Sequence, residues 1–143
     1  MRKKIVAGNW KMNNNLNETE LLLSKLKNSN LAANVDVMVS PSSPFLKTSI
    51  DFLSGSNIEV VSQNVHNKSN GAYTGEISVR MLKSIGINKS IIGHSERRSH
   101  FLESNETLLE KSELCLENGL GIIFCFGEEL NDRKLGKHFE VIE

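Results

Sequence analysis

The sequence of 143 residues has the usual size of one domain, and its 17 basic and 17 acidic side chains cancel to a formal net charge of zero. This balance argues against nucleic acid or an anionic membrane as a partner, because both favour clustered positive charge. The longest apolar run, residues 121–126, is far shorter than the roughly 20 residues of a membrane-spanning helix. Two cysteines, Cys115 and Cys125, suggest no disulfide framework, so we expect a protein of the reducing cytoplasm.

Five short apolar runs alternate with helical patterns along the chain. The runs predict strands over residues 5–11, 35–39, 58–61, 89–92 and 122–126. Capping residues and stops mark the helices between them, with predicted caps at Asn17, Ser43 and Ser104 and predicted stops at Gly86 and 118–119. A last helix begins within residues 131–143. Such alternation predicts parallel strands joined by right-handed crossovers.

Two architectures fit this alternation. A doubly wound nucleotide-binding fold should carry a G-x-G-x-x-G fingerprint at its first turn, but residues 8–11 read Gly-Asn-Trp-Lys. No P-loop pattern is present either. The sequence therefore favours a (β/α) barrel, in which polar groups from several strand ends converge on one face.

Polar side chains follow the predicted strands where such convergence would occur. They are Asn9 and Lys11, Gln63 and Asn64, residues 94–98, and Glu128. A lysine, an asparagine and a histidine on one rim suit a small anionic carbonyl substrate, because they supply positive charge and donors to an oxygen that gains charge. The segment around His94 alone leaves open that this histidine only caps the strand through a local hydrogen bond.

Four motifs carry a close resemblance to a known family. They are residues 7–13 (Ala-Gly-Asn-Trp-Lys-Met-Asn), residues 63–64 with 71–78 (Gln-Asn and Gly-Ala-Tyr-Thr-Gly-Glu-Ile-Ser), residues 92–98 (Ile-Gly-His-Ser-Glu-Arg-Arg) and residues 125–128 (Cys-Phe-Gly-Glu). In this order and spacing they resemble the triosephosphate isomerase family. The resemblance implies an α/β fold of the (β/α)8 TIM barrel type, of which residues 1–143 hold about the first five β/α units as the amino-terminal portion of a single domain. It also implies interconversion of dihydroxyacetone phosphate and glyceraldehyde 3-phosphate without cofactor or metal.

The resemblance also assigns roles to individual residues. Lys11 is implied to be catalytic and to bind substrate, and Asn9 to orient the substrate. His94 is implied to polarise the carbonyl oxygens as a neutral imidazole, an established feature of the family rather than a prediction of ours. Glu96 is implied to pair with Lys11. Two further supporting residues are implied, Ser95 beside the catalytic base and Cys125 beneath it.

The loop of residues 71–76 is implied by the same resemblance to form a homodimer. Tyr73 and Thr74 would enter the other subunit beside its Asn9 and Lys11. Independently of the family, an aromatic ring at a polar loop tip suggests a contact partner. The alternative is that Tyr73 folds back on its own domain.

The catalytic base and the phosphate loops of the family are not among these residues. By the resemblance, the base is a glutamate after a sixth strand, and a barrel of this type has about 250 residues. We therefore expect the chain alone to have no appreciable isomerase activity. The alternative function is a half-barrel that has lost catalysis and serves as a binding or assembly module.

Overall fold

The computed structural model describes residues 3–142 and consists of parallel strands alternating with helices. The strands are β1 (Lys4–Asn9), β2 (Val35–Ser40), β3 (Ile58–Val60), β4 (Lys89–Ile92) and β5 (Gly121–Phe124). The helices are α1 (Leu16–Lys27), α2 (Leu46–Phe52), α3 (Val79–Ser84), α4 (Ser95–His100), α5 (Asn105–Glu117) and α6 (Leu130–Lys134). The predicted α/β fold is confirmed. None of the described helices has the length and apolarity to cross a membrane.

The five strands pair in the order of the chain. β1, β2 and β3 form one parallel ladder, in which Ala7 lies opposite Met38, and β4 and β5 form a second. Ser62 joins the two ladders, since its amide donates to the Lys89 carbonyl at 3.1 Å and its carbonyl accepts from the Ile91 amide at 2.8 Å. The result is a run of parallel strands in sequential order, as in part of a barrel.

The core lies between this sheet and the helices. Leu23, Leu82 and Leu108 from three helices are at most 1% exposed and pack with strand residues such as Val39 and Ile92. The two outer strands, β1 and β5, are less buried than the inner strands, because apolar side chains at both ends of the sheet remain exposed to solvent. Examples are Val6 on β1, which is 61% exposed, and Phe126 just after β5, which is 66% exposed.

Helix α1 begins earlier than predicted. Its N-cap is Asn15 and not Asn17, because the Asn15 side chain accepts from the Glu18 amide at 3.1 Å while the Glu18 carboxylate accepts from the Asn15 amide at 2.8 Å. This reciprocal pair is a capping box. The prediction failed because Asn17 with Glu20 offers the same spacing as Asn15 with Glu18 and only the backbone geometry decides between them.

Other boundaries differ from the predicted ones by a few residues. β1 ends at Asn9 rather than Lys11, and β5 ends at Phe124 rather than Phe126. Ser43 does not cap α2, since residues 43–45 form a 3₁₀ turn before that helix. The predicted bounds of β4 are confirmed, as is the cap at Ser104, whose hydroxyl accepts from the Thr107 amide at 3.3 Å.

Candidate active site

An open cavity of about 520 Å³ lies at the carboxyl ends of β1, β3 and β4. Four of the residues to which the family resemblance assigns roles line it together: Asn9, Lys11, His94 and Glu96. Gln63 and Asn64 line it as well, together with residues 75–77, and all five belong to the long loop between β3 and α3 (residues 61–78). The predicted convergence of strand-end groups is therefore present for the first, third and fourth strands, whereas Glu128 after β5 is not among the residues that line the cavity.

The backbone at Lys11 is held in an unusual conformation. Its φ is +55°, a left-handed value that a residue with a side chain seldom adopts. The Lys11 amide donates to Asn9 Oδ1 at 2.9 Å, and the Lys11 carbonyl accepts from Ser42 Oγ at 2.9 Å and from Gln63 Nε2 at 2.8 Å. Gln63 also donates to the Ser40 carbonyl at 2.9 Å, which ties residue 11 to the end of β2. These bonds fix the direction in which the lysine leaves the chain.

The Lys11 side chain meets Glu96 across the cavity. Lys11 Nζ donates to Glu96 Oε1 at 2.6 Å, and both side chains are about half exposed. The hydrogen bond from Lys11 holds the pKa of Glu96 below its usual value. Glu96 is therefore a carboxylate at neutral pH, and it orients the ammonium group while leaving two further ammonium protons for a substrate anion.

His94 precedes helix α4 as its N-cap. Its Nδ1 accepts a hydrogen bond from the Glu96 amide at 3.2 Å. Because an acceptor nitrogen carries no proton, a neutral imidazole in this geometry bears its proton on Nε2. The local hydrogen bond considered from the sequence is thus present, but it caps helix α4 and not the strand. It also selects the tautomer whose second nitrogen can donate to a carbonyl oxygen.

A buried ionic network supports the segment that carries His94. Glu103 Oε1 accepts from Arg97 Nε at 2.6 Å and from Lys111 Nζ at 2.5 Å, and Lys111 also donates to Asn64 Oδ1 at 2.8 Å. Burial disfavours the charged form of Glu103, but the two cations outweigh it and hold its pKa below the usual value. The network links α4 to α5 and to the residue after Gln63 in the cavity wall.

Sequence reasoning did not find Glu103 and Lys111. A signal was present, since Lys111 shares the buried face of α5 with Leu108 and Cys115 at helical spacing, whereas Leu109 and Leu116 are 60% and 63% exposed. A lysine on an apolar face requires a partner, and a carboxylate just before the helix cap is within reach of it. Arg97 and Arg98 are both held by local contacts, Arg97 by its ion pair with Glu103 and Arg98 by its hydrogen bond to the Gly93 carbonyl.

Ser95 and Cys125, the other residues to which the resemblance assigns supporting roles, are not among those that line this cavity. Ser95 is exposed at the first position of α4, and the half-buried Cys125 follows β5, where its amide donates to the Ile92 carbonyl at 2.9 Å. Burial raises the pKa of the Cys125 thiol, so the group is neutral near pH 7. Within residues 3–142, no group of three or more His, Cys, Asp or Glu side chains could hold a metal ion.

Tyr73 and Thr74 lie at the tip of the long loop. The Tyr73 ring packs on His66 of the same chain, with centroids 4.5 Å apart, yet Tyr73 remains 45% exposed and Thr74 is exposed. At the neck of the loop, the His66 amide donates to the Ile77 carbonyl at 2.8 Å, and Glu76 Oε2 lies 3.2 Å from His66 Nδ1. The loop is thus closed at its base and presents its tip to solvent.

Parallel strands in sequential order, with lysine, histidine and a carboxylate together at their carboxyl ends, are typical of part of a TIM barrel. A family model described as triosephosphate isomerase matches residues 4–143. The chain therefore belongs to the triosephosphate isomerase family.

Curated relatives agree with this assignment. A triosephosphate isomerase of Flavobacterium psychrophilum is 47% identical over 100% of this chain and 58% of the relative. Those of Flavobacterium johnsoniae and Fusobacterium nucleatum are 47% and 43% identical, over 58% and 57% of their own lengths. The chain thus spans a little more than half the length of the curated relatives it matches.

Proposed function

We propose that these residues form the substrate-polarising half of an active site that interconverts dihydroxyacetone phosphate and D-glyceraldehyde 3-phosphate by proton transfer through an enediol or enediolate intermediate. The observation that carries this proposal is the cavity in which Glu96 orients Lys11 at 2.6 Å beside His94 and Asn9. The relatives' name and the match of the family model support the choice of reaction.

Lys11 supplies the positive charge of the site. Its ammonium group attracts the anionic substrate and stabilises the negative charge that develops on oxygen when a proton leaves the neighbouring carbon. The fixed backbone of residue 11 means that little reorganisation is needed during the reaction. Asn9 stands at the same strand end and helps to orient the substrate.

His94 acts on the carbonyl oxygens. With Nδ1 engaged by the Glu96 amide, its Nε2–H is the group that donates to the substrate oxygen. That donation makes the carbon-bound proton more acidic and lets the proton move between the two substrate oxygens by way of the imidazole. No cofactor or metal is required for this chemistry.

The proton-abstracting base is expected elsewhere. Among the described residues, Glu96 is paired with Lys11, Glu128 with Arg133, and Glu76 lies beside His66. By the family resemblance, the base is a glutamate after a sixth strand. We therefore propose that residues 1–143 bind and polarise the substrate but do not turn it over by themselves.

A homodimer formed through residues 71–76 is part of the proposal. The loop is preorganised, because Asn67 Nδ2 and Lys68 Nζ both donate to Glu110 Oε2 on α5, at 2.6 Å and 2.9 Å. A fixed loop with an exposed Thr74 at its tip loses little entropy when it enters another subunit.

The two cysteines are unpaired, which is in keeping with a cytoplasmic location.

A fusion protein tests the catalytic assignment. Residues 1–143 are joined to the part of the Flavobacterium psychrophilum relative that the match with this chain does not cover. We expect His94→Gln to lower the kcat of the fusion by about 10²- to 10⁴-fold, the usual contribution of a positioned acid or base. His138→Gln is the matched control and should leave kcat unchanged. A His94→Gln fusion as active as its parent would refute the role of His94.

Light scattering on the same fusion tests the dimer. We expect a dimer, and we expect Thr74→Arg to shift it towards monomer because the larger charged side chain cannot be buried in a partner. A Thr74→Arg fusion that remains fully dimeric at low protein concentration would contradict the assigned interface.

A further inference from the structure

Arg98 makes three hydrogen bonds that meet at the ends of β4 and β5. Its Nε donates to the Gly93 carbonyl at 2.9 Å, one terminal nitrogen donates to Asn105 Oδ1 at 2.9 Å, and the other donates to the Cys125 carbonyl at 3.2 Å. The acceptors belong to three elements: the residue after β4, the start of α5 and the residue after β5. One guanidinium group therefore ties these elements together.

The two strand ends approach each other closely at this point. Gly93 has a φ of +72°, and a Cβ built on it would lie 2.9 Å from the Cys125 carbonyl oxygen and 3.2 Å from the Arg98 guanidinium. The Cys125 amide donates to the Ile92 carbonyl at 2.9 Å, so the ladder between β4 and β5 continues up to the arginine. Glycine is required here because no side chain fits between the strand end and the guanidinium.

This contact lies directly before His94. The Arg98 amide donates to the His94 carbonyl at 3.2 Å, while the Arg98 side chain returns to the carbonyl of residue 93. Residues 93–98 thus form a closed turn whose side-chain bond fixes the peptide that leads into His94. The orientation of that peptide sets where His94 Nδ1 meets the Glu96 amide, which selects the imidazole tautomer.

We infer that Arg98 is a positioning residue for His94. Its hydrogen bonds fix the turn of residues 93–98 against the end of β5 and thereby hold the imidazole in its Nε2–H form. The planar guanidinium group of arginine carries several donors and can reach three acceptors at once, whereas the compact ammonium group of lysine cannot match that geometry. The inference rests on the proposed function only in taking His94 as the group that acts on substrate. The hydrogen bonds of Arg98 from which it is argued lie within this chain and do not depend on that function.

The first part of the test uses the unaltered chain labelled with ¹⁵N. We expect the Nε–H of Arg98 to give a resolved resonance that exchanges with solvent much more slowly than that of Arg80, an arginine on α3. We also expect the two imidazole nitrogens of His94 to be widely separated at about pH 8, where ordinary histidines are neutral and a single tautomer keeps one nitrogen protonated. An Arg98 Nε–H that exchanges as fast as a free arginine overturns the inference.

The second part compares substitutions of Arg98. Arg98→Lys keeps the positive charge but loses the planar guanidinium group. Arg98→Gln replaces it in the test if the lysine variant does not fold. We expect the two His94 nitrogen resonances to move towards each other, as the two tautomers interconvert, while the histidine resonances of His138 stay in place. Asn105→Ala removes only the acceptor on α5 and should leave the His94 nitrogens as they are.

A folded Arg98→Lys or Arg98→Gln chain with unchanged His94 nitrogen resonances overturns the inference. A merely structural role for Arg98 would lower stability without a selective effect on the His94 tautomer. Failure of the proposed function is a separate result, because it would appear as an inactive fusion protein while these resonances behaved as expected.

Discussion

Lys11 Nζ lies 2.6 Å from Glu96 Oε1, although the two residues are 85 positions apart in the sequence. Lys11 follows the end of β1, and Glu96 lies in the first turn of α4 after β4, so the pair connects the ends of two strands that are not neighbours in the sheet. The pair gives the cavity a fixed cation, and the amide of the same glutamate engages His94. Glu96 thus connects the two groups on which the proposed chemistry depends.

Glu96→Gln should weaken substrate binding more than folding. The glutamine can still accept from Lys11 but no longer fixes the ammonium group by charge, so we expect KM for the triose phosphate to rise in the fusion protein. The thermal midpoint should change little because the pair is exposed. Glu113→Gln, an exposed change within α5, is the control in both measurements. An unchanged KM would show that Glu96 does not orient Lys11 for binding.

Glu103→Gln should destabilise the chain strongly. It leaves Lys111, which is 2% exposed, without its charged partner, and the loss of one member of a buried pair costs about 3–5 kcal/mol. Urea unfolding of Glu103→Gln, Lys111→Met and the double variant measures this cost. We expect the double variant to be more stable than Glu103→Gln alone, because it no longer buries an unpaired charge.

The pH dependence of the same variant follows from the lowered pKa of Glu103. Its carboxylate contributes stability above its unfolded value of 4.5, and that contribution is lost as pH falls below 4.5 through the folded pKa. The difference in unfolding free energy between the parent chain and Glu103→Gln should therefore shrink below about pH 4.5. A difference that grows on acidification would contradict the assigned charge state.

Asn15→Ala should lower the free energy of unfolding by about 0.5–2 kcal/mol, the usual cost of losing an N-cap. Asn17→Ala is the matched control on the same helix and should be neutral or slightly stabilising, because alanine is the better helix former inside the first turn. Denaturant unfolding of the two variants measures both effects. Equal losses from the two substitutions would contradict the capping box at Asn15 and Glu18.

Much of the fold could be predicted from the sequence because its signals are local. Apolar runs gave the order of the strands, and the family motifs placed Asn9, Lys11, His94 and Glu96 in one site. Backbone conformations and contacts that involve residues distant in the chain could not be predicted from such local signals. One example is the positive φ of Lys11, whose carbonyl accepts hydrogen bonds from Ser42 and Gln63, two residues far from it in the chain.

The contacts of Tyr73 and of Lys111 show what local sequence patterns cannot predict. The sequence predicted a contact partner for Tyr73, and the structure shows the ring on His66 with nearly half of it exposed, so the interface remains a proposal. The pairing of Lys111 with Glu103 also escaped prediction, since eight residues and a helix start separate the two. Tertiary packing, and not propensity, determines both arrangements.

Gly93→Ala should destabilise the chain more than Gly119→Ala. Both glycines have a left-handed φ, +72° and +64°, so both substitutions carry a similar backbone penalty of about 1–2 kcal/mol. Only at Gly93 would the new Cβ meet other atoms, whereas the space beside Gly119 is open. Urea unfolding of both variants isolates the cost of crowding. Equal losses would show that the strand ends of β4 and β5 can separate without penalty.

The most direct test of the account is the kcat/KM of the fusion protein with glyceraldehyde 3-phosphate, measured with Lys11 intact and with Lys11→Met. We predict turnover far above that of buffer and a loss of about 10²- to 10³-fold in Lys11→Met, because a preorganised charge-stabilising donor is removed. The chain alone should show no turnover above buffer. A folded fusion that is inactive, or one that Lys11→Met leaves fully active, would contradict the claim that Lys11 and His94 form the substrate-polarising half of an isomerase site.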